Sequence, residues 1–287
     1  MEVAPRAVPE FVAVGHVTLD HIGGAVRPGG TALYAALTAH RLGCSVGLLT
    51  SFGPDFPRDL FPPDFQVVHV PASQTTVFRH ETAGEGRALT LLARATDLEV
   101  GHLPLEWKTA DLALLCPDAN EVEPYLAAEF SEGAVGAAVQ GWMRARGAGG
   151  AISPALWEDA PLVLPHVQAV FLSQEDMGPF EEEVMEWFQQ IPFGVITLGR
   201  RGAVLFVSGE RHFIEADPAD EVDPTGAGDV FAAAFMIQYQ REGSPWEAAA
   251  FAACAAALHV EGAGIAAIPS QPAVKERLSA YRRRLGR

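Results

Sequence analysis

Short runs of apolar residues alternate with longer amphipathic stretches over most of this chain. The first run, residues 11–17, has the length and apolar character of a buried strand. A helix-like stretch at residues 31–42 follows, ends at Gly43, and leads into a second strand-like run at residues 45–50. Parallel strands need a crossover connection of this kind, so the pattern predicts a strand–helix–strand unit with parallel pairing.

The same alternation returns in the second half of the chain. Further strands are predicted at residues 112–116, 133–139, 169–172, 195–198 and 203–207. Helices are predicted at residues 181–190, 226–240, 245–260 and 271–285. Strands that alternate with helices predict an α/β fold with a doubly wound, mostly parallel sheet flanked by helices.

Residues 66–96 have a different pattern. Short β-prone segments at 66–70, 75–80 and 87–92 are separated by turn residues, among them Gly84-Glu85-Gly86. This spacing is typical of hairpins and predicts a small β-sheet that projects from the main sheet. Because no repeat, low-complexity tract or linker interrupts the chain, we expect residues 1–287 to form a single domain, to which 66–96 contribute a β flap.

The charge of the chain excludes several classes of partner. A formal net charge of −16 would oppose encounter with nucleic acid or an anionic membrane, although a local cationic pocket is compatible with it. The first ten residues lack the pattern of a signal peptide, and no apolar run reaches the ~18 residues of a membrane span. We therefore expect a cytoplasmic protein that acts on a small molecule.

The cysteines and histidines give no sign of a metal centre. Cys44, Cys116 and Cys254 are far apart in apolar surroundings and form no CxxC pair, which favours small buried side chains over a disulfide framework or a zinc site. The nine histidines show no HxxxH or HxH spacing. A metal-dependent hydrolase is therefore not indicated.

The clearest candidate for chemistry is the segment from Asp223 to Asp229, Asp-Pro-Thr-Gly-Ala-Gly-Asp, which runs into a predicted helix. Gly226 and Gly228 allow a tight turn that brings backbone N–H groups together at a helix N-terminus, where an anion is favoured. Asp229 is then either a helix cap or a base beside a bound phosphate. A dinucleotide-binding loop fits less well, because residues 215–224 do not read as a strand and Asp229 would face the pyrophosphate.

Three weaker segments bear on the same choice. Asp20 follows the first strand, at the sheet edge where α/β proteins bind ligands, although a surface loop aspartate is an ordinary alternative. Gly29-Gly30 opens a helix and would allow a ligand to approach the backbone, or would simply cap the helix. Residues 196–202 end a strand with a glycine turn, which would hold a nucleotide or form a hairpin into the next strand.

In their order and spacing, these segments resemble the PfkB (ribokinase-like) family of carbohydrate kinases over nearly the whole chain. Gly15 to Asp20 is similar to the family's opening strand and substrate aspartate, and Gly29-Gly30 to its first signature. Thr197, Gly199 and Gly202 match its nucleotide-binding turn, and the segment from Asp223 to Asp229 matches its second and more specific signature. The resemblance implies a ribokinase-like fold with a β-sheet lid over the substrate.

The resemblance also implies roles for individual residues. Asp229 would be the catalytic base, and the backbone of Gly226, Ala227 and Gly228 the anion hole. The phosphoryl acceptor would be held by Asp20, Gly29, Gly30, Tyr34, Gln140 and Arg144. ATP would be positioned by Ser173, Thr197, Gly199, Gly202 and Thr225, and Mg²⁺ by Asp176 or Glu175. Some members bind a monovalent cation such as K⁺ near the positions of Asp223 and 262–269, a stretch that matches poorly here.

Several positions depart from the family pattern. Tyr34 stands where the family commonly has a substrate-binding asparagine, and a phenol cannot copy the paired donor and acceptor of an amide. Ser173 and Asp176 replace the asparagine and glutamate of the family's Asn-x-x-Glu, with shorter reach. The usual lid segment between Asp20 and Gly29 is very short, so we expect a reduced lid.

Residues 139–144 follow a predicted central strand and resemble a stretch in a family branch that includes myo-inositol kinases. Gln140 would hydrogen-bond a polyol there, and Arg144 would bind a phosphate or a carboxylate. The ordinary alternative is that Trp142 is a core residue and Arg144 a solvated one.

The function expected from these residues is ATP-dependent phosphorylation of a hydroxyl on a small sugar or polyol. A nucleoside kinase of the same fold and a non-catalytic sugar- or nucleotide-binding protein remain open alternatives. The exposed strands of the β flap would also offer an edge for a homodimer.

Overall fold

The computed structural model describes residues 8–83 and 86–286. Their strands are β1 (Phe11–Val14), β2 (Thr18–Ile22), β3 (Ala25–Gly29), β4 (Val46–Phe52), β5 (Gln66–Pro71), β6 (Thr76–Ala83), β7 (Gly86–Ala93), β8 (Leu112–Leu115), β9 (Ala134–Ala138), β10 (Arg144–Arg146), β11 (Ile152–Pro154), β12 (Ala169–Ser173), β13 (Phe193–Thr197), β14 (Ala203–Val207) and β15 (Glu210–Ile214). The α-helices are α1 (Thr31–Arg41), α2 (Ala160–Val163), α3 (Gln174–Met177), α4 (Glu181–Phe188), α5 (Ala227–Glu242), α6 (Pro245–Val260) and α7 (Gln271–Arg284).

The main sheet has nine strands in the order β15-β14-β13-β12-β9-β8-β1-β4-β5. Pairing is parallel from β5 through β13, and β14 and β15 are added antiparallel at one edge. The alternation in β1 shows why this sheet is covered on both faces: Phe11 and Ala13 pack into one core cluster, and Val12 and Val14 pack into the other.

Helices flank the sheet on both sides. Buried residues of α1, α5, α6 and α7 form one core cluster, and those of α2 and α4, with Trp142 and Trp157, form the other. The start of α6 follows from its sequence, because Ser244 accepts a hydrogen bond from the N–H of Glu247 at 3.3 Å and Pro245 occupies the first turn. The predicted doubly wound, mostly parallel fold is confirmed.

A second sheet of four strands, which we call the lid, has the order β3-β2-β6-β7. Strands β2 and β3 form a hairpin around Gly23-Gly24, and β2 pairs in parallel with β6. The hairpin β10–β11 lies beside it through a bridge between Thr90 and Ala151.

The predicted β flap includes β6 and β7 of the lid, but its N-terminal boundary was wrong and it omitted the β2–β3 hairpin. Residues 66–70 belong to β5, which pairs in parallel with β4 at the edge of the main sheet. The segment from Asp20 to Gly29, which was expected to be too short, supplies most of a hairpin because two residues suffice to turn between antiparallel strands. Asp20 therefore lies within a lid strand and not in a loop after β1.

Other expectations can be compared directly with the structure. Cys44, Cys116 and Cys254 are free and buried, as predicted. Nowhere in residues 8–83 and 86–286 is there a helix with both the length and the apolar character needed to cross a membrane. The predicted turn residues Gly84 and Glu85, and most of the N-terminal stretch inspected for a signal peptide, lie outside the described residues.

Candidate active site

The segment from Asp223 to Gly228, which we call the anion loop, leads directly into α5. Gly226 caps the helix in the left-handed region, with φ 83°, a conformation that glycine adopts without strain. The N–H of Ala227 donates to the Pro224 carbonyl at 3.2 Å, so this amide is already used within the loop. Among the described residues, no acceptor takes the N–H groups of Gly228 and Asp229. The start of α5 therefore presents free donors of the kind that bind phosphate groups.

Two aromatic rings support the anion loop. The ring of Tyr34 packs so closely against Gly226 that a Cβ at this position would lie 2.5 Å from it. His259 contacts the Tyr34 ring edge-on, with centroids 5.5 Å apart, and its Nε2 donates to the Thr225 carbonyl at 2.8 Å. Burial lowers the pKa of His259, which keeps the imidazole neutral. Tyr34, expected to contact substrate, thus places its ring against the loop, while its hydroxyl lies near several carboxylates that, with burial, raise its pKa.

Asp229 lies in the first turn of α5 and is partly buried. Burial raises the pKa of this carboxyl to about 7, and the nearby Thr31 side chain acts in the opposite direction. The negative charges of Asp176 and Asp20 raise it further, and the positive charge of Arg144 lowers it. A carboxyl poised near neutral pH has the proton affinity of an effective general base.

Asp223, at the other end of the anion loop, is held in its charged form. Its Oδ1 accepts from the N–H of Thr225 at 3.0 Å, and its Oδ2 accepts from Nη1 of Arg27 in the lid at 3.1 Å. Burial opposes ionisation, but hydrogen bonds from Thr225 and Gly264 and the Arg27 charge outweigh it, so the pKa of Asp223 is lowered.

Asp20 is a lid residue whose charge acts on Asp229. Its buried carboxylate accepts from Thr18 Oγ1 at 3.0 Å and lies 3.8 Å from Nε2 of His80. Gly29 allows this packing, because a Cβ there would come within 2.3 Å of Asp20 Oδ2. The carboxylate is thus fixed by its own sheet and close enough to Asp229 to influence that residue's pKa.

Asp118 is a buried carboxylate that the sequence analysis did not single out, and it lies beside the start of α1. Asp118 accepts from both the N–H and the Oγ1 of Thr31, each at 3.0 Å, and so caps α1 just after Gly30. Burial and the neighbouring charges of Glu121 and Asp229 hold the pKa of Asp118 well above its ordinary value. A sequence signal existed, because Asp118 closely follows the carboxyl end of β8, at the same sheet edge used to select Asp20.

Arg144, from the body of the protein, is a positive charge that lowers the pKa of both Asp118 and Asp229. It donates through Nη1 to the Asp118 carbonyl at 3.1 Å, and its guanidinium lies over the Phe78 ring of the lid, 5.6 Å from the centroid. The Gln140 amide, turned with its oxygen toward Arg144, accepts from Nη1 at 2.9 Å. Trp142 is a core residue stacked on Trp157, as its ordinary alternative predicted, whereas Arg144 belongs to the site.

The residues predicted to position a nucleotide lie at the carboxyl ends of β12 and β13. Ser173 and Thr197 are paired neighbours in the two strands, and a turn at Gly199–Arg201 follows, leading into the antiparallel strand β14. Arg200 in this turn forms an ion pair with Glu221 at 3.1 Å. The predicted strand-end turn is therefore also a hairpin.

The same edge carries the predicted metal ligands. Asp176 receives the N–H of Ser173 at 3.0 Å through one carboxylate oxygen and lies close enough to Asp229 to raise its pKa, whereas Glu175 is exposed. The described residues contain no cluster of three or more His, Cys, Asp or Glu side chains suited to a metal ion. One carboxylate is nevertheless a common protein contribution to Mg²⁺ that is bound mainly by substrate phosphates, so Asp176 fits that role.

Comparison with known proteins agrees with this geometry. A model of the pfkB family carbohydrate kinases matches residues 21–272. The cytidine kinase of Thermococcus kodakarensis is 24% identical over 259 residues, which cover 83% of this chain and 91% of that protein. The ribokinase of Arabidopsis thaliana is 42% identical over 80 residues, which cover 27% of this chain but 21% of that protein.

Solved structures show the same fold. A pyrophosphate-dependent myo-inositol kinase superposes with a TM-score of 0.77 at 18% identity, covering 94% of this chain and 99% of that one. The Arabidopsis thaliana ribokinase complexed with ribose and ATP superposes with a TM-score of 0.70 at 20% identity, with the same coverage. These superpositions extend the similarity to nearly the whole chain.

Proposed function

The chain belongs to the pfkB family of carbohydrate kinases, and from that premise we propose that it transfers the γ-phosphoryl group of ATP to a hydroxyl of a small sugar or polyol. One observation carries the proposal. Asp229, with a pKa of about 7, stands beside the free N–H groups at the start of α5. A base and an anion site at the same point are what phosphoryl transfer to a hydroxyl requires.

In the proposed reaction, Asp229 accepts the proton of the acceptor hydroxyl while that oxygen forms its bond to the γ-phosphorus. The bond between this phosphorus and the bridging oxygen of ATP breaks, and ADP leaves. The N–H groups of Gly228 and Asp229 donate to the oxygens of the transferring group, where charge accumulates. Asp176 would help to hold Mg²⁺ beside the donor phosphates, and the ion would supply further neutralisation of that charge.

The acceptor is proposed to lie between the lid and the anion loop. The buried Asp20 carboxylate accepts hydrogen bonds from acceptor hydroxyls, and Gln140 and Arg144 face the same space from the body of the protein. A cluster of carboxylate, amide and guanidinium groups suits a molecule with several hydroxyls. The T. kodakarensis relative favours a nucleoside as a second candidate, because it covers most of this chain and is named for cytidine.

The test is a matrix of donors and acceptors. ATP and pyrophosphate are each combined with myo-inositol, ribose, fructose and cytidine, and the phosphorylated product is measured directly. We expect turnover with ATP and one of the hydroxyl-rich acceptors, and strongly reduced turnover with the Asp229→Asn protein. Ligand binding without phosphoryl transfer in any combination would contradict the proposal and favour a non-catalytic binding protein.

A further inference from the structure

The ion pair between Arg27 and Asp223 joins residues 196 positions apart in sequence and connects the lid with the anion loop. Arg27 lies in β3 and is 44% exposed, whereas Asp223 is 13% exposed. Arg27 is not needed to hold β3 in the lid, because β3 is paired along its length with β2. The pair is therefore a contact between two parts of the site.

The lid places Arg27 on the same face as the acceptor aspartate. Asp20 in β2 and Arg27 in β3 are directly opposite partners in the antiparallel register, so their side chains project from one face of the sheet. Phe78 is the partner of Asp20 in β6 and reaches Arg144 on that face. One face of the lid thus contacts the acceptor space through Asp20 and the anion loop through Arg27.

Charges from the lid and from the anion loop both act on Tyr34. Its pKa is raised by burial and by the charges of Asp229, Asp223 and Asp20, and it is lowered by Arg27. Arg27 is therefore the lid's positive charge at a site that holds three carboxylates. Its guanidinium offsets negative charge where an anionic phosphoryl donor must approach.

The surroundings of Asp223 do not fit a monovalent cation. Such an ion needs a shell of oxygen ligands, whereas the two oxygens of Asp223 accept from the N–H of Thr225 and from Nη1 of Arg27. A cation bound to this carboxylate would also be repelled by the adjacent guanidinium. The negative charge of Asp223 is thus already neutralised by Arg27, a side chain of the protein itself.

We propose that Arg27 is a positioning residue that couples closure of the lid over the acceptor to the anion loop, and that its guanidinium makes the site independent of a monovalent cation. This inference rests on the proposed function. When the lid closes, Arg27 reaches Asp223, whose other oxygen holds the Thr225 N–H and so fixes the loop before the helix start. An acceptor that holds Asp20 in place thereby improves the donor site, and a bound donor improves the acceptor site.

The first experiment measures this coupling by calorimetry. The affinity for the best acceptor of the donor–acceptor matrix is determined with and without a non-reactive donor analogue, AMP-PNP or methylenediphosphonate according to the donor that is used. We expect the analogue to tighten acceptor binding on the order of 5–150-fold in the unmodified protein and to have little effect in the Arg27→Gln protein. Equal coupling in both proteins would overturn the proposal.

A matched control comes from the opposite face of the lid. Arg79 in β6 is 46% exposed and pairs with Glu81 in its own strand at 3.5 Å. Arg79→Gln removes the same charge from the same sheet without touching the anion loop, so coupling should remain. Loss of coupling in the Arg79→Gln protein as well would overturn the assignment, because the effect would then follow from charge alone.

Two further measurements separate this inference from the proposed function. Amide hydrogen exchange in β3 needs no turnover and should be faster in Arg27→Gln than in Arg79→Gln; equal rates would count against the contact.

Where turnover is found, replacing tetramethylammonium with K⁺ should leave the rate of the unmodified protein unchanged and raise that of the Arg27→Ala protein. An equal response of the two proteins to K⁺ would overturn the neutralising role, whereas absence of any turnover would count against the proposed function instead.

Discussion

Asp223 and Asp229 lie at the two ends of one seven-residue segment, but their surroundings move their pKa values in opposite directions. Asp223 meets N–H groups and a guanidinium, and its pKa is lowered. Asp229 is buried near Asp176 and Asp20, and its pKa is raised to about 7. The first acid accepts hydrogen bonds from the protein through both of its oxygens, whereas the second has a raised affinity for a proton.

The opposite pKa shifts indicate different roles for the two aspartates, which the sequence motif alone does not distinguish. A carboxylate saturated by donors stays charged and anchors structure, as Asp223 does for the N–H of Thr225 and for Arg27. A carboxyl whose charge is disfavoured gains affinity for a proton, which is the property that a base needs. The comparison therefore assigns the chemistry to the second acid of the motif and the architecture to the first.

The largest expected effect follows from removing the base. Asp229→Asn keeps the size of the side chain but cannot accept the proton, so kcat should fall on the order of 10²–10⁴-fold. The KM for the acceptor should change little, because Asp20, Gln140 and Arg144 are untouched. Steady-state kinetics on both substrates measure this, and nearly full activity would remove the base role from Asp229.

A second effect follows from the pKa of about 7 at Asp229. Above this pH the carboxylate is ionised and ready to accept a proton, and below it the protonated form is inactive. We therefore expect kcat/KM to fall about tenfold for each pH unit below 7, or on the order of 100-fold by pH 5. The Asp223→Asn protein should show the same midpoint, because Asp223 is not the titrating group; a midpoint that moves with Asp223 would reverse the assignment.

A smaller loss of activity is expected from Asp223→Asn itself. The neutral amide weakens the bonds to Arg27 and Thr225, and because the Arg27 side chain is 44% exposed, solvent screening limits the loss to about 1 kcal/mol. Because the anion loop would be held less firmly, kcat should fall on the order of 10-fold, less than for Asp229→Asn. If Asp223→Asn were the more damaging change, the division between anchor and base would be wrong.

Much of the body of the fold could be predicted from the sequence. The period and length of apolar runs placed β14 and α6 at their observed bounds, since these elements bury faces that repeat at fixed spacing. The anion loop was equally visible, because its glycines and Asp229 are local in sequence.

The lid was predicted less well because its pairings are not local. The assignment of residues 66–70 to the flap could not be corrected from the sequence, since β5 resembles any short hairpin strand until its parallel pairing with β4 is known. The contacts of Arg27 with Asp223 and of Thr31 with Asp118 likewise join distant segments. The sequence thus revealed Asp229 and several of its neighbours, but not the contacts of Arg27 and Thr31 that join distant parts of the site.

The smallest expected effect is on stability, and it has opposite signs for the two acids. A raised folded-state pKa means that Asp229 favours folding fully at low pH and loses this contribution as pH rises through about 7. A lowered pKa means that Asp223 contributes above the unfolded-state pKa and loses its contribution as pH falls.

At pH 8, therefore, Asp229→Asn should raise the free energy of unfolding, on the order of 1–3 kcal/mol, because the cost of a buried charge is removed. Asp223→Asn should lower it by a smaller amount, about 1 kcal/mol or less, because its pair with Arg27 is partly exposed and therefore screened. Denaturant unfolding of both proteins at pH 8 and pH 5 measures the two changes, and the gain from Asp229→Asn should shrink at the lower pH. Opposite signs would show that Asp229 lowers the stability at the pH where it acts as a base, whereas Asp223 raises it as an anchor. Changes of the same sign in the two proteins would contradict this division of roles.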